Sequence, residues 1–266
     1  MTSNVSPKGV ALVTGASAGI GAVYADRLAK RGHDLILVAR DVAKLTAVAD
    51  HIRTTSGRHV ELLPADLTAR EDVLRVEQRL RSDERITLLV NNAGVGATQK
   101  LVDADVERLD EMIRINVLAL TRLTHAVVPG MVRRGAGAII NIASIVALAP
   151  DLLNGTYGGT KAFVLALTQS MHTELSPLGI QVQAVLPGAT STNFWVISGR
   201  PVEQLPSEIV MSAEDMVDAS LVGFDRKELV TIPALPDAAD WDRFDAARRA
   251  LGPNLSRASA AARYRA

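Results

Sequence analysis

Short apolar runs alternate with longer amphipathic segments along most of this chain. The runs predict seven strands, which cover residues 10–14, 35–39, 60–63, 87–91, 138–143, 180–186 and 228–232. Between them, apolar residues recur every three or four positions, which predicts helices at residues 20–28, 42–52, 67–80, 106–132, 156–178 and 211–223. Runs that are apolar throughout are typical of strands covered on both faces, and strands that alternate with helices predict a parallel sheet built from βαβ units.

Local signals mark some of the helix ends. Thr68, followed by Glu71 three residues later, predicts a capping box at the start of the third helix. Pro177 marks the end of the helix that precedes the sixth strand. After Pro233 the chain is rich in Ala, Asp and Arg, and we expect one surface helix at about residues 241–251.

The length favours a single domain. The chain has 266 residues, and doubly wound α/β domains often use about 250 residues as one unit. We therefore expect residues 1–266 to form one domain, with a core at about residues 8–233 and a C-terminal helical tail at residues 234–266.

The composition excludes several function classes. Hydrophobic residues make up 48% of the chain and 29 basic residues balance 29 acidic ones, which argues against intrinsic disorder. The same balance argues against broad nucleic-acid binding, and 3% aromatic residues disfavour stacking platforms for single strands. Since the sequence contains no unbroken apolar run of about 18 residues and its start does not resemble a secretory signal, we expect a cytoplasmic protein that binds neither nucleic acid nor membrane.

Cysteine does not occur in the sequence, so disulfides, thiolate metal sites and cysteine nucleophiles are excluded. The five histidines do not have the spacing of metal ligands, and we expect no metal site. Ligands of doubly wound parallel sheets bind at the carboxyl ends of the strands. The residues that follow each predicted strand are therefore the ones to inspect for chemistry.

A glycine-rich turn follows the first predicted strand. The sequence TGASAGIG at residues 14–21 joins that strand to the first helix, where a glycine backbone can approach a pyrophosphate and a helix N-terminus offers free N–H groups. The glycine spacing differs from the general G-x-G-x-x-G dinucleotide pattern, so an ordinary tight turn is the alternative. The residues expected to contact a cofactor here are Gly15, Ser17, Ala18, Gly19, Ile20 and Gly21.

The residues after the second and third strands bear on which dinucleotide fits. Arg40 directly follows the second strand, and a guanidinium suits the 2′-phosphate of NADP, unless the side chain is merely solvated. Asp41 comes next, and because an acidic residue at this point is typical of NAD binding, NADP is preferred and NAD stays possible. Asp66, followed by Leu67, is either an acceptor for the adenine amino group or a turn residue ahead of a helix.

Tyr157 and Lys161 lie four residues apart in the segment YGGTK, a spacing that places both side chains on one face of a helix. An ammonium group beside a phenol lowers the pKa of the phenol, so the pair predicts a tuned proton donor to a carbonyl oxygen. The alternative is a half-buried tyrosine beside a surface lysine.

Two more polar residues occur where a site is expected. Ser144 follows the fifth strand and is either a hydroxyl that orients a carbonyl group or a simple turn residue. Asn116 lies among apolar residues in the helix at 106–132, and a buried amide needs a hydrogen-bond partner. That partner is either a structural water or part of a proton relay.

Together these motifs resemble the short-chain dehydrogenase/reductase family, in its branch of ordinary length. The matching residues follow the family's order between about residues 10 and 232, and they are TGASAGIG at 14–21, NNAG at 91–94, Asn116, Ser144, YGGTK at 157–161 and PG at 187–188. Each motif alone is common, whereas the combination is specific to the family.

The resemblance implies a Rossmann-type fold, in which a doubly wound, parallel, seven-stranded sheet is flanked by helices in three α/β/α layers. It implies an NAD(P)-dependent oxidoreductase that interconverts a carbonyl compound and an alcohol. It also implies a homodimer or homotetramer that pairs through the helices at 106–132 and 156–178.

The resemblance further implies a catalytic tetrad of Asn116, Ser144, Tyr157 and Lys161. In this family the tyrosine gives its proton to the carbonyl oxygen and the serine holds the same oxygen. The lysine binds the nicotinamide ribose and lowers the tyrosine pKa, and the asparagine holds a water that links the lysine to solvent. The further cofactor contacts implied are Asp66, Leu67, Asn92, Ala93, Gly94, Tyr157, Lys161, Pro187, Gly188, Thr190 and Thr192.

The sequence departs from the family pattern in two places. Gly158, Gly159 and Thr160 stand where the family often has Ala–Ser or Ser–Ala, and the two glycines are expected to loosen the helix start and widen the site. Position 18 is alanine, whereas many NADP-preferring members carry a basic residue in the glycine loop. Arg40 is therefore the main candidate for binding the 2′-phosphate.

Two largely apolar segments, 145–155 and 189–212, predict a pocket for an uncharged ketone, aldehyde or secondary alcohol, unless they only seal the loops against the core. The residues expected to contact substrate are Ser144, Ile145, Val146, Leu153, Tyr157, Phe194 and Trp195. A 3-oxoacyl thioester is an alternative substrate. Arg133 and Arg134 would then bind a carrier phosphate, unless they form a solvated helix end, which is the favoured interpretation. A cofactor-binding regulator without turnover is the alternative from another class.

Overall fold

The computed structural model describes residues 8–199 and 201–265. The described residues form a sheet of seven parallel strands in the order β3-β2-β1-β4-β5-β6-β7, which confirms the predicted doubly wound α/β fold. The strands are β1 (Val10–Thr14), β2 (Asp34–Ala39), β3 (Val60–Pro64), β4 (Ile86–Asn91), β5 (Gly137–Ile142), β6 (Ile180–Val185) and β7 (Val230–Thr231). Residues 1–7 at the N-terminus, and Arg200 in the second segment predicted to line the pocket, lie outside the described residues.

Helices cover both faces of this sheet. The helices of this part of the chain are α1 (Gly19–Lys30), α2 (Val42–Ser56), α3 (Arg70–Ser82), α4 (Val106–Ile113), α5 (Leu120–Arg134), α6 (Gly155–Leu175), α7 (Phe194–Ile197) and α8 (Ala213–Asp225), and a further helix, α9 (Ala238–Ala250), follows near the C-terminus. Alternate residues of each strand enter two separate cores. In β1, Ala11 and Val13 pack on one face with α1, α2 and α8, whereas Val10 and Leu12 pack on the other with α3, α5 and α6. This alternation gives the three expected layers.

The chain divides into two compact units, and the boundary along the chain lies between Pro233 and Ala234. The first unit contains the sheet and α1 to α8. The second contains α9, which begins three residues earlier than its predicted start, and short 3₁₀ turns at Gly252–Asn254 and Ala262–Tyr264. The expectation of one single domain stays a prediction.

The predicted capping box at Thr68 is wrong. α3 begins at Arg70, its N-cap is Ala69, and no side chain of the described residues caps it. Asp66 Oδ1 instead accepts hydrogen bonds from the N–H and the hydroxyl of Thr68, at 2.9 and 2.8 Å. Asp66 thus holds Thr68 in a turn, so the threonine cannot cap the helix, and the helix begins further along the chain.

The single helix predicted at 106–132 is interrupted. α4 passes into a π-helical segment, Arg114–Ala119, before α5 begins. Such segments often mark functional sites, and this one carries Asn116.

By length and composition Val106–Arg134 is also apolar enough to cross a membrane, although it contains charged residues that break the apolar run. Half of its apolar window is buried inside the protein, as expected for a core helix.

A buried amide pair joins β4 to β5 beneath the carboxyl end of the sheet. Asn91 Nδ2 donates to Asn141 Oδ1 at 2.9 Å and to the Thr124 hydroxyl at 3.0 Å. Asn141 Nδ2 in turn donates to the Thr168 hydroxyl at 2.9 Å. Because Thr124 lies on α5 and Thr168 on α6, these bonds fix both helices to the strands that end at the site.

The expectation that Gly158 and Gly159 widen the site is wrong for Gly158. A β-carbon at Gly158 would lie 3.1 Å from Pro150 Cβ, so Pro150 already fills that space. A β-carbon at Gly159 would meet no atom of the described chain within 4 Å.

We expect Gly159→Ala to raise the free energy of unfolding by about 0.5–1 kcal/mol, because alanine loses less backbone entropy in a helix. Gly158→Ala should give no such gain, and urea unfolding of the two variants tests the difference.

Candidate active site

The ends of β1 and β4 are tied together at the carboxyl end of the sheet. The Thr14 hydroxyl accepts hydrogen bonds from the N–H groups of Asn92 and Ala93, both at 3.0 Å, and donates to the Val90 carbonyl at 3.2 Å. Asn92 Nδ2 donates to the Thr14 carbonyl at 2.8 Å. Thr14 was not among the predicted site residues, although a polar residue that ends an apolar strand is a usable signal.

The glycines of the loop after β1 are required by close packing. Gly15 has φ of +66°, and a β-carbon there would lie 2.8 Å from Asn92 Nδ2. A β-carbon at Gly21 would overlap the Gly15 carbonyl oxygen and lie 2.5 Å from Asn92 Nδ2. Gly19 has φ of +53°, and its β-carbon position lies 3.1 Å from Thr192 Cγ2. The predicted cofactor contacts in this loop and Thr192 therefore lie together.

The N-terminus of α1 is free to bind an anion. Its N-cap, Ala18, has no capping side chain among the described residues, and the first turn contains no acidic residue. The first N–H groups of the helix point out of this end with the positive pole of the helix dipole. Ser17, Gly19 and Ile20 are half-buried beside it, so the loop presents backbone donors more than side chains.

Arg40 is exposed, and its Nη1 lies 3.8 Å from Asp66 Oδ2. Asp41 is occupied elsewhere, since its Oδ1 caps α2 by accepting from the Lys44 N–H at 3.0 Å. Asp66 Oδ1 is used by the Thr68 turn, which agrees with a turn aspartate and leaves Oδ2 toward Arg40. Leu67 is buried in the core, so only its backbone is available to a ligand.

Asn154 sets the start of the helix that carries the predicted tyrosine and lysine. Its Oδ1 accepts from the N–H groups of Thr156 at 2.9 Å and of Tyr157 at 3.4 Å. Its Nδ2 donates to the Gln99 carbonyl at 2.7 Å. Asn154 was missed by sequence reasoning, although an asparagine just before a helix is a recognisable N-cap.

Ser144, Tyr157 and Lys161 come together in the structure. All three are buried, and the Tyr157 hydroxyl is hydrogen-bonded to Ser144. Lys161 Nζ lies 5.9 Å from the centroid of the Tyr157 ring and donates to the Ile142 carbonyl at 2.8 Å. The alternative of a surface lysine is therefore excluded.

Burial dominates the electrostatics of this group. It raises the pKa of Tyr157 above its ordinary value, and the hydrogen bond with Ser144 offsets only part of that rise. Burial also lowers the pKa of Lys161 to about 8. The pKa of Tyr157 is thus raised, whereas the spacing of Tyr157 and Lys161 predicted that the lysine would lower it.

Asn116 has the hydrogen bonds that a buried amide needs. Its Oδ1 accepts from the Val95 N–H at 3.0 Å, and its Nδ2 donates to the Val95 carbonyl at 2.9 Å and to the Thr160 hydroxyl at 3.0 Å. A β-carbon at Gly94 would lie 3.0 Å from Asn116 Oδ1 and 3.5 Å from Lys161 Nζ. Both atoms therefore lie close to the same point beside Gly94, and the role of Asn116 in a proton relay stays a prediction.

The segment after β6 lies against the loop that carries Ser144. The Ser144 hydroxyl donates to the Pro187 carbonyl at 3.4 Å, and the Ile145 N–H donates to the same oxygen at 3.0 Å. The Thr190 hydroxyl donates to the Gly188 carbonyl at 3.2 Å. These bonds fix the predicted PG turn beside the serine.

An apolar cluster surrounds Tyr157. Its buried members are Met112, Val146 and Tyr157, and half-buried residues packed against them are Val95, Ala97, Leu109, Leu153 and Phe194. Four of the predicted substrate contacts therefore lie here, namely Val146, Leu153, Tyr157 and Phe194, and Ile145 lies 3.9 Å from the β-carbon position of Gly188. The contributions of Val95 and Ala97 were missed because they follow the NNAG motif, outside both predicted pocket segments.

The structure also places Trp195 and the two arginines that the sequence analysis singled out. Trp195 is buried and its indole N–H donates to the Thr190 carbonyl at 2.9 Å, so it anchors α7 behind Phe194. Arg134 donates to the carbonyl of Ile86, at the amino end of β4. Arg133 and Arg134 thus end α5, both exposed, at the opposite end of the sheet from the site, which agrees with a solvated helix end and not with a carrier-phosphate contact.

Comparison with known proteins agrees with this geometry. The family model described as short chain dehydrogenase matches residues 9–199. The very-long-chain 3-oxoacyl-CoA reductase of Anas platyrhynchos is 38% identical over 193 residues, which cover 71% of this chain. The match spans 62% of that protein, less than two thirds of its length.

Solved structures extend the likeness over nearly the whole chain. A short-chain dehydrogenase from Sphingobium yanoikuyae, solved in complex with NADPH, is 52% identical with a TM-score of 0.94, covering 97% of this chain and 100% of that one. A bulky-bulky ketone specific alcohol dehydrogenase from Comamonas testosteroni is 45% identical with a TM-score of 0.89, covering 96% and 98%. With its sheet order, its glycine loop and the grouping of Ser144, Tyr157 and Lys161, this chain belongs to the short-chain dehydrogenase/reductase family and is an oxidoreductase.

Proposed function

We propose that this oxidoreductase interconverts an uncharged, apolar ketone or aldehyde and the corresponding alcohol, with NADP(H) preferred over NAD(H). The observation that carries the proposal is the Tyr157 hydroxyl, which is hydrogen-bonded to Ser144 inside an apolar cluster at the carboxyl end of the sheet. Apolar walls favour an uncharged substrate, because burying an unpaired charge costs free energy. The name of the Comamonas relative, which is specific for bulky ketones, supports this substrate class.

The glycine loop fits the phosphates of a dinucleotide. The uncapped N-terminus of α1 supplies N–H donors, and Gly15 and Gly21 leave space that a β-carbon would fill. When bound, the reduced nicotinamide supplies a hydride to the carbonyl carbon. The residues proposed to hold the whole dinucleotide are Gly15, Ser17, Ala18, Gly19, Ile20, Gly21, Arg40, Asp66, Leu67, Asn92, Ala93, Gly94, Tyr157, Lys161, Pro187, Gly188, Thr190 and Thr192.

The chain's own residues supply the proton. Tyr157 donates its hydroxyl proton to the carbonyl oxygen, while the Ser144 hydroxyl binds the same oxygen and keeps it within reach. Since burial holds the pKa of Tyr157 above its ordinary value, this hydroxyl is protonated at neutral pH, as reduction requires. Lys161 carries its charge 5.9 Å from the ring centroid and stabilises the phenolate that remains.

The direct test is oxidation of NADPH and NADH with a panel of aryl ketones, aldehydes, 3-oxoacyl thioesters and small keto acids. We expect turnover with the uncharged apolar ketones and a lower Kd for NADPH than for NADH. Turnover confined to small charged keto acids would contradict the proposed substrate class.

A 3-oxoacyl thioester is the second candidate substrate. It is favoured by the 38% identity to a relative named very-long-chain 3-oxoacyl-CoA reductase. Its acyl chain would lie in the apolar cluster and its carrier outside. Higher kcat/KM for the thioesters than for every ketone in the panel would select this alternative.

The oligomeric state and the cellular location stay predictions. We propose a homodimer or homotetramer that pairs through residues 106–132 and 156–178. Leu118 and Phe163 are exposed on these two helices, and burying such side chains between subunits is favourable. A cytoplasmic location remains our expectation.

Arg40→Ala tests the cofactor preference. Loss of a charge-assisted pair with the 2′-phosphate should raise the Kd for NADPH about tenfold or more, since such bonds contribute about 1.5–3 kcal/mol. The Kd for NADH should change by less than about twofold, because NADH has no phosphate at this position. Fluorescence titration of both cofactors measures the two constants. Arg85→Ala, which removes an exposed arginine paired with Asp83, is the matched control. Equal losses for NADPH and NADH would remove the role of Arg40.

A further inference from the structure

The segment at residues 94–100, which follows β4, is a fixed wall of the apolar cluster. One end is held at Val95, which exchanges two hydrogen bonds of 3.0 and 2.9 Å with the Asn116 side chain. The other end is held at Gln99, whose carbonyl accepts from Asn154 Nδ2 at 2.7 Å. The wall is therefore tied both to the π-helical segment and to the start of α6.

The same segment is bonded to α7. The N–H and the hydroxyl of Thr98 both donate to the Ser198 carbonyl, at 3.3 and 2.6 Å. The Ser198 N–H donates to the Phe194 carbonyl at 2.9 Å, and Trp195 anchors the helix through its bond to Thr190. The backbone of Phe194 is thus held in place relative to the wall.

Gly96 lies where the ring of Phe194 touches the wall. A β-carbon at position 96 would overlap Phe194 Cζ and lie 2.7 Å from Cε2 and 3.1 Å from Ser198 Oγ. Gly96 is not among the residues with positive φ, so its backbone is open to any residue type. Packing against the ring is therefore the reason for glycine at this position.

We propose that Gly96 and Phe194 together determine which ketones the site accepts, an inference that rests on the proposed carbonyl reduction. Because position 96 has no side chain, the Phe194 ring lies beside Tyr157, with the two ring centroids 5.7 Å apart. There the ring fills space next to the proton donor and limits the bulk of the carbonyl substituent on that side. Both residues act on specificity, and neither takes part in the proton transfer.

Two ketones of different bulk serve as substrates in the test: acetophenone, with one methyl substituent, and benzophenone, with two phenyl substituents. Phe194→Ala should raise the ratio of kcat/KM for benzophenone to that for acetophenone by roughly fivefold or more, because space opens beside Tyr157. Gly96→Ala should lower kcat/KM for benzophenone about tenfold through KM, because the displaced ring takes up part of the space that the substrate needs beside Tyr157.

The double variant isolates the contact. In the Phe194→Ala background the ring tip is gone, so Gly96→Ala should change kcat/KM by less than about twofold. Gly159→Ala is the matched control, because its new methyl group meets open space, and it should leave both ketones unaffected. Phe194→Leu is a milder variant should the alanine protein fail to fold, and it should shift the ratio in the same direction. The melting temperature and the Kd for NADPH, measured on every variant, separate altered specificity from misfolding or lost cofactor binding.

An equal effect of Gly96→Ala with and without the Phe194 ring would overturn the inference. An unchanged ketone ratio in both Phe194→Ala and Phe194→Leu would do the same. These failures require a wild-type protein that reduces ketones, so they are distinct from failure of the proposed function. If wild type reduces no ketone or aldehyde of the wider panel, the proposed function fails and this inference fails with it.

Discussion

Tyr157→Phe is expected to lower kcat for carbonyl reduction by about 10²–10⁴-fold, the range that a positioned general acid contributes. Phenylalanine keeps the ring that packs against Phe194, so the apolar cluster stays filled and only the hydroxyl is lost. Ser144 still binds the carbonyl oxygen, but no group at that point donates the proton. Single-turnover oxidation of NADPH by a saturating ketone measures the chemical step, and the Kd for NADPH should change little.

Tyr24→Phe provides a control of the same chemistry. Tyr24 is also buried, its hydroxyl is also hydrogen-bonded to a serine, Ser220, and burial also raises its pKa. It lies on α1 in the core shared with α8, away from the site. Loss of its hydroxyl should therefore cost stability without changing the rate of the chemical step. Equal turnover by wild type and Tyr157→Phe would refute the assigned proton donor.

The strands were predictable because burial on both faces leaves a pattern that few other elements produce. β1 has the predicted bounds, and the other six agree within one or two residues at each end. The helix start was not predictable by the same reasoning, because Thr68 can either cap a helix or bond to Asp66 in a turn. In the structure it bonds to Asp66. The π-helical segment around Asn116 lies within a stretch whose apolar residues are compatible with one long helix, so the sequence pattern does not reveal it.

The site was predictable where a residue follows directly from a strand end or a helix spacing, as with Ser144, Tyr157 and Lys161. It was not predictable where one side chain reaches a carbonyl far away in the chain. Asn154 to Gln99 and Thr98 to Ser198 are such contacts, and they build the wall that sequence reasoning missed. Their partners are set by how the loops pack, which no periodicity encodes.

The tyrosine pKa was mispredicted for a related reason. Spacing along a helix reveals a nearby charge, but the depth of burial depends on residues from several other elements. Around Tyr157 those residues come from the wall after β4, from α4, from the loop after β5 and from α7. Desolvation by all of them together is the largest cause of the raised pKa of Tyr157, and the hydrogen bond with Ser144 offsets only part of it.

The largest expected effect on stability comes from Lys161→Met. Burial lowers the pKa of Lys161 from 10.5 to about 8, so at neutral pH the folded protein holds a charge that its surroundings disfavour. This difference corresponds to about 3 kcal/mol, of which about 1 kcal/mol is offset by losing the hydrogen bond to Ile142. We expect the methionine variant to be more stable than wild type by about 2 kcal/mol near pH 7 and to lose carbonyl reduction.

The sign of the pH dependence makes the test specific. Between pH 8 and 10.5 the unfolded chain binds the lysine proton more tightly than the folded chain does. The free energy of unfolding of wild type therefore rises with pH across this window, relative to the variant, and the stabilisation by methionine fades above it. Urea unfolding of both proteins near pH 7 and near pH 10 measures the change, with the exposed Lys30→Met as control. Parallel pH profiles for wild type and Lys161→Met would show that the buried lysine carries no such cost. A stability gain of the methionine variant near pH 7 that disappears near pH 10 would identify the buried ammonium group as the source of the cost.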